Sequence, residues 1–92
     1  MIVSFKDADT QALFETGKNR RWASLQKVAP RKLDQIEAST RLNDLAVPPG
    51  NRLEPLAGNR KGQHSIRIND QNRICFVWKT DGAHDVEITD YH

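Results

Sequence analysis

The spacing of apolar residues changes character halfway along the chain. Ile2, Val3 and Phe5 make a short, partly β-branched run that predicts an opening strand. Asp7 or Asp9 can cap a helix running to Thr16, with Ala8, Ala12, Leu13 and Phe14 as its apolar stripe and Gly17 as its stop. Trp22, Leu25 and Val28 stand three apart and suit a short helical turn. Pro30 fits the first turn of a second helix, where a missing N–H costs nothing, and Leu33, Ile36 and Thr40 then share one face. Ser39-Thr40 should interrupt that helix, because their hydroxyls compete for backbone hydrogen bonds, with Leu42 and Leu45 continuing as a tighter turn. Pro48-Pro49-Gly50-Asn51 removes donors, forces extended backbone and so ends helical character.

Beyond that junction the period becomes two. His64, Ile66 and Ile68 alternate with Ser65, Arg67 and Asn69; Ile74, Phe76 and Trp78 alternate with Arg73, Cys75 and Val77; Val86 and Ile88 alternate with Asp85, Glu87 and Thr89. Three strands are predicted, joined by hairpin connections at Asn69-Asp70-Gln71-Asn72 and Lys79-Thr80-Asp81-Gly82. The middle one is apolar on both faces and lacks proline, which makes it central. The pattern is α+β, with an N-terminal strand and helices packed on a small, largely antiparallel sheet. Periodicity does not say where the opening strand joins that sheet.

Composition narrows the class. With 92 residues, 37% of them apolar, one domain over residues 1–92 is expected. A lone Cys75 forms no internal disulfide and fits a reducing compartment; with three scattered histidines it offers no metal-ligand spacing, so neither a metal nor another cofactor is implied. The start of the chain has no basic leader followed by an apolar run, and no stretch approaches the ~18–20 apolar residues of a membrane span. A cytoplasmic protein without membrane attachment is therefore expected.

The net charge is only +2, yet it is unevenly placed. Lys18, Arg20, Arg21, Lys27, Arg31 and Lys32 stand between Thr16 and Leu33 without an acid among them. Arg52, Arg60, Lys61, Arg67 and Arg73 form a second zone, against only Glu54 and Asp70. Two local basic zones in a nearly neutral chain suit contact with a polyanion on one face and with a protein on another. Scattered surface cations are the plainer explanation.

Metal-free RNA cleavage is a chemistry these residue types can perform. The substrate supplies its own nucleophile, the ribose 2′-OH, and the protein must align it, move protons and stabilise charge on phosphorus. Glu54, Arg67, Arg73, Tyr91 and His92 are candidates, with Arg60 or Lys61 as phosphate contacts. Plainer roles stand beside each: Arg73 in an ion pair with Asp85 or Glu87, Tyr91 packed on the sheet, and His64 as a packing residue. His92 matters only if Val86 and Ile88 hold the last strand beside Arg73.

Certain motifs go further. Leu53-x-Pro-Leu-x-Gly58, Gly62-x-x-Ser-Ile-Arg67, Arg73-Ile-x-Phe76 and the closing Asp90-Tyr-His92 occur together and in order. With the opening Ile-Val-Ser-Phe-Lys and the Pro-Pro-Gly junction, they make the chain resemble, over essentially its whole length, the HigB-type toxins of bacterial toxin–antitoxin modules in the RelE/ParE superfamily. The resemblance implies a microbial-RNase-like α+β fold and ribosome-dependent mRNA cleavage in the small-subunit decoding site. It also implies a HigA-type helix-turn-helix antitoxin as partner, with operator DNA bound only through that antitoxin. By the same resemblance Arg73 stabilises the strained phosphate, His92 carries the proton, Tyr91 positions the nucleotide, and Asp90 belongs to the same group. Glu54 stands where a characterised relative has histidine, and a carboxylate accepts a proton but cannot act as a cationic donor. Ala57 replaces a lysine common in the family, with the loss of one phosphate contact. The Lys18 to Lys32 zone then reads as a surface for ribosomal RNA or for acidic antitoxin residues. Two other roles fit the superfamily: a ParE-like gyrase poison, and a non-catalytic partner and co-repressor of the antitoxin.

Overall fold

The computed structural model describes residues 1–90. Helix α1, Ala8–Thr16, starts where Asp7 Oδ1 accepts the Thr10 N–H at 2.7 Å. It stops at Gly17, whose left-handed backbone (φ 76°) lets its N–H close on the Leu13 carbonyl at 2.9 Å. Helix α2, Ala29–Ala38, carries Pro30 in its first turn and buries Ala29, Leu33 and Ile36. A short 3-10 turn at Ala23–Leu25 joins the helices and buries Leu25. Val28, expected beside Trp22 and Leu25, is instead exposed: it flanks the start of α2, and Ala29 takes the inward place.

Helix α2 ends because the Ser39 hydroxyl donates back to the Gln35 carbonyl at 2.7 Å while its own backbone turns extended. Ser39 is therefore the buried residue, and Thr40, placed on the apolar face by spacing, lies exposed. The chain then re-coils as a 3-10 turn at Leu42–Ala46. There the Asp44 carboxylate accepts the N–H groups of Arg41 at 3.1 Å and Thr40 at 3.0 Å. These bonds favour the charged form and hold the Asp44 carboxyl below the ordinary value of 3.8. A carboxyl whose folded pKa is depressed contributes stability above its unfolded pKa and loses it as pH falls through the folded one. Asp44→Ala is accordingly expected to melt below the native protein at neutral pH, by a margin that narrows as the pH is lowered through the acid range. Equal melting at neutral pH would show that the turn does not use the carboxylate.

Helical character does not end at the prolines. Pro49–Asn51 and Gly58–Arg60 are further 3-10 turns, the first begun by a proline in the position where no N–H is needed. Strands β1 (Glu54–Pro55), β2 (His64–Arg67), β3 (Asn72–Lys79) and β4 (Gly82–Asp90) make a four-stranded antiparallel sheet in the order β1-β2-β3-β4. Alternation predicted the last three, with β3 inside the sheet. It missed β1, which has two exposed residues, one of them proline.

The opening run is extended but forms only two bridges, Ile2 with Ala83 and Phe5 with Val86, both parallel to β4. A continuous ladder is prevented where β4 bulges. Asp85 takes a left-handed backbone (φ 52°) and turns its N–H onto the Ser4 hydroxyl at 2.9 Å. Val86 N–H still reaches the Ser4 carbonyl at 3.0 Å, but Ile88 N–H is taken at 3.1 Å by the buried Thr10 hydroxyl, which ties α1 to the sheet.

Leu13, Leu25, Ala29, Leu33, Ile36 and Leu45 meet Ile66, Ile74, Phe76, Val86 and Ile88 in the core, each of these apolar side chains contributing up to about 3 kcal/mol. The helices thus cover the face of the sheet that bears residues 66, 74, 76 and 88. Because strand side chains alternate, Ser65, Arg67, Arg73, Cys75, Glu87 and Thr89 belong to the opposite face.

Candidate functional site

Strand register arranges that second face in two rows. Glu54, Ser65, Cys75 and Glu87 are successive cross-strand partners from β1 to β4, and Arg67, Arg73 and Thr89 form the neighbouring row. Arg73 reaches from its row into the other. Its Nε donates to the buried Ser65 hydroxyl at 2.7 Å, and its Nη2 donates to the Arg52 carbonyl at 2.9 Å and lies 3.2 Å from Glu54 Oε1. Acceptors on two sides of one planar guanidinium fix its plane and leave the group only 11% exposed.

Arg67 lies directly opposite Arg73. The Ile68 N–H bonds to the Asn72 carbonyl at 2.9 Å, so the adjoining Arg67/Arg73 pair is of the non-hydrogen-bonded kind, in which Cα atoms come within about 4.5 Å. Like charges so placed cost up to about 1 kcal/mol. An exposed ion pair from Arg67 to Asp70 offsets part of this. The face thus holds two adjacent guanidinium groups, each paired with a carboxylate, Arg73 with Glu54 and Arg67 with Asp70.

A second cluster occupies the β4 side. Arg60 Nη1 lies 2.6 Å from Glu87 Oε1 and donates to Gln63 Oε1 at 3.0 Å, while Lys6 Nζ stands 3.8 Å from the same carboxylate. Cys75 Sγ and Thr89 Oγ1, 3.4 Å apart, lie between the clusters. Arg73 is thus paired with Glu54, where ion pairing with Asp85 or Glu87 was the plainer expectation, and Glu87 serves Arg60 instead.

The predicted residues separate into groups. Arg73, Glu54, Arg67 and Arg60 share the face away from the helices, and Lys61 is exposed just after the Gly58–Arg60 turn. Asp90 is exposed at the end of β4 opposite Asn72, on the parity of Ile74 and Ile88 and not on that of Arg73. Tyr91 and His92 lie outside the described residues. Lys18, Arg20, Arg21, Lys27, Arg31 and Lys32 all belong to the helical layer. Arg21 there stacks 4.8 Å above the Trp22 ring and lies 3.7 Å from Asp9. The Lys32 ammonium donates to the buried Asn51 side chain. Lys18, Arg20, Lys27 and Arg31 are exposed.

Sequence reasoning missed Ser65, the Arg52 carbonyl, Lys6 and the site-facing role of Glu87. Ser65 and Glu87 were legible as partners of Cys75 once the strands were aligned; the Arg52 carbonyl and Lys6 had no periodic signal. Among the described residues no group of three or more His, Cys, Asp and Glu side chains is placed to hold a metal ion, and no helix is long and apolar enough to cross a membrane.

The sequence profile described as RelE-like toxin of type II toxin-antitoxin system HigB matches residues 3–92. Toxin HigB-1 of Vibrio cholerae is 41% identical over 80 residues, covering 85% of this chain and 84% of that protein. Endoribonuclease HigB of Proteus vulgaris is 31% identical over an alignment of 98 positions that spans both chains completely.

Proposed function

The chain belongs to the HigB-like family of RelE-like toxins, and from that premise we propose that it is a ribosome-dependent mRNA endonuclease whose action inhibits translation. The observation that carries this reading is the Arg73 guanidinium, held by Ser65, Arg52 and Glu54 beside Arg67 on the sheet face that the helices leave uncovered. In the proposed reaction the ribose 2′-oxygen attacks the adjacent phosphorus, loses its proton to a base, and displaces the 5′-oxygen, which takes a proton from an acid. The products are a 2′,3′-cyclic phosphate and a free 5′-OH. Arg73 supplies positive charge where the pentacoordinate phosphate gathers negative charge, already oriented and partly desolvated. Glu54, an acceptor only when ionised, suits the base and not the acid. His92 is assigned the donating role, Tyr91 the placement of the nucleotide, and Asp90 membership of the same terminal group. Arg60, Lys61 and Arg67 are assigned flanking phosphates.

The exposed cations of the helical layer cannot share the phosphate at Arg73, because the sheet lies between. We assign Lys18, Arg20, Arg21, Lys27 and Arg31 to a second polyanion, the small-subunit RNA around the decoding site. A HigA-type helix-turn-helix antitoxin is the proposed protein partner, and operator DNA is reached through it. Since recognition rests on local zones in a chain of net charge +2, free RNA is expected to be a poor substrate. Affinity for ribosomes should fall linearly with salt on logarithmic axes, with a slope of about −0.7 to −0.9 per neutralised phosphate, measured by cosedimentation. A flat salt response would remove the basic zones from recognition.

Primer extension on mRNA from cells expressing the protein tests the activity itself. Discrete breaks that vanish when translation is blocked are expected. Loss of DNA supercoiling without such breaks would place the protein with the gyrase poisons, and neither effect would make it a non-catalytic partner of the antitoxin.

A further inference from the structure

The Arg52 carbonyl that receives Arg73 belongs to a left-handed residue (φ 47°, ψ 54°). A residue with a Cβ keeps that conformation only where its surroundings impose it. What imposes it is the preceding residue. Asn51 is fully buried; its Nδ2 donates to the Gln35 side chain at 3.0 Å and to the Leu45 carbonyl at 3.1 Å, and its Oδ1 accepts from the Lys32 ammonium. Its backbone N–H closes the 3-10 turn on the Pro48 carbonyl at 2.9 Å, and the Arg52 N–H closes on Pro49 at 3.1 Å. A continuous set of bonds therefore runs from α2 through Lys32, Asn51 and the Arg52 backbone to the guanidinium of Arg73. Removing the lysine would leave Asn51 Oδ1 without this donor inside the protein, a cost that the turn can relieve only by moving.

We propose that Lys32 and Asn51 are positioning residues for cleavage, setting the orientation of Arg73 through the Arg52 carbonyl. The proposal rests on the reading of Arg73 as the group that meets the scissile phosphate. It gives Lys32 a task inside the protein, in contrast to its exposed basic neighbours, whose task is contact with RNA. Misplacing an otherwise intact charged group by about 1 Å can lower a rate up to about 100-fold without weakening substrate binding.

The test uses the full chain with Lys32→Met, which keeps the aliphatic stem and removes the ammonium, and Asn51→Asp as a second variant. The Asp carboxylate still accepts from Lys32 but has no N–H for Gln35 and Leu45. Two readouts are taken. Nitrogen-15 NMR follows exchange of the Arg73 Nε–H, expected to quicken about tenfold in either variant as its orientation loosens. Single-turnover mRNA cleavage on programmed ribosomes is expected to slow at least about tenfold at saturation, with the half-saturating ribosome concentration unchanged within about twofold. Native-like exchange in a folded variant overturns the linkage. A weakened half-saturation at an undiminished rate overturns it too, because Lys32 would then be contacting RNA directly. Faster exchange with undiminished cleavage leaves the linkage intact and overturns the role of Arg73 in catalysis. If Lys32→Met fails to fold, Asn51→Asp decides by the same two readouts.

Discussion

Replacing Arg73 with alanine is expected to lower ribosome-dependent mRNA cleavage by about 10²–10³-fold while leaving the melting temperature close to that of the native protein. The size of the activity loss is that seen when one preoriented charge-stabilising group is removed from a transition state. The stability estimate comes from opposing terms on the same face. Alanine forfeits the bonds to Ser65 and Arg52 and the pair with the half-exposed Glu54. It also relieves the repulsion with Arg67, worth up to about 1 kcal/mol, and frees Glu54 to be hydrated. Single-turnover cleavage on programmed ribosomes, read beside a thermal melt, measures both. Undiminished cleavage by a folded Arg73→Ala protein would remove the guanidinium from the chemistry, and with it the observation on which the proposed function rests.

The parts of the fold legible in the sequence are those whose cause is local. The Asp7 cap, the Gly17 stop and the Pro30 start of α2 act within one helical turn, and the alternation that specifies β2, β3 and β4 is a contest between faces of single strands. What stayed hidden depends on distant partners. β1 exists because β2 offers it a register, and the opening segment follows β4 until the Asp85 bulge turns the ladder aside. The site divides the same way. Arg73 and Glu54 were legible as residue types with suitable chemistry, but their pairing across 19 positions is made by the register of β1 on β2 and of β2 on β3, which no single strand's periodicity announces. Nor does a run of cations state its layer: residues 18–31 and Arg73 read alike as basic zones, and only the packing of the helices on one sheet face separates them. Family resemblance supplied the role of the closing Asp-Tyr-His motif, of which the described residues include Asp90 alone.

Phe76→Ala is expected to reduce activity by a different route, through the stability of the sheet. Phe76 is fully buried at the middle of β3, opposite His64 on β2 and edge-on to the Trp78 ring at 6.4 Å. Truncating such a side chain costs about 3–5 kcal/mol in lost burial and cavity formation. For 92 residues the whole folding free energy is about 5–14 kcal/mol, so the loss is from about a fifth to all of it and the variant should melt well below the native protein. Urea titration at about 15 °C, near the usual maximum of stability, measures the loss directly. The neighbouring residues make the consequence for function specific. Arg73 and Cys75 flank Ile74 on the same strand and face the other way, so whatever loosens β3 from the helices also loosens Arg73 from Ser65. Cooling should therefore restore cleavage to Phe76→Ala as the folded fraction recovers, and should restore nothing to Arg73→Ala, which is expected to be folded at both temperatures. A Phe76→Ala protein that melts with the native one would mean that the core does not depend on this ring; one that refolds in the cold and stays inactive would mean that the helical side of β3 sets the geometry of the site as well as its stability.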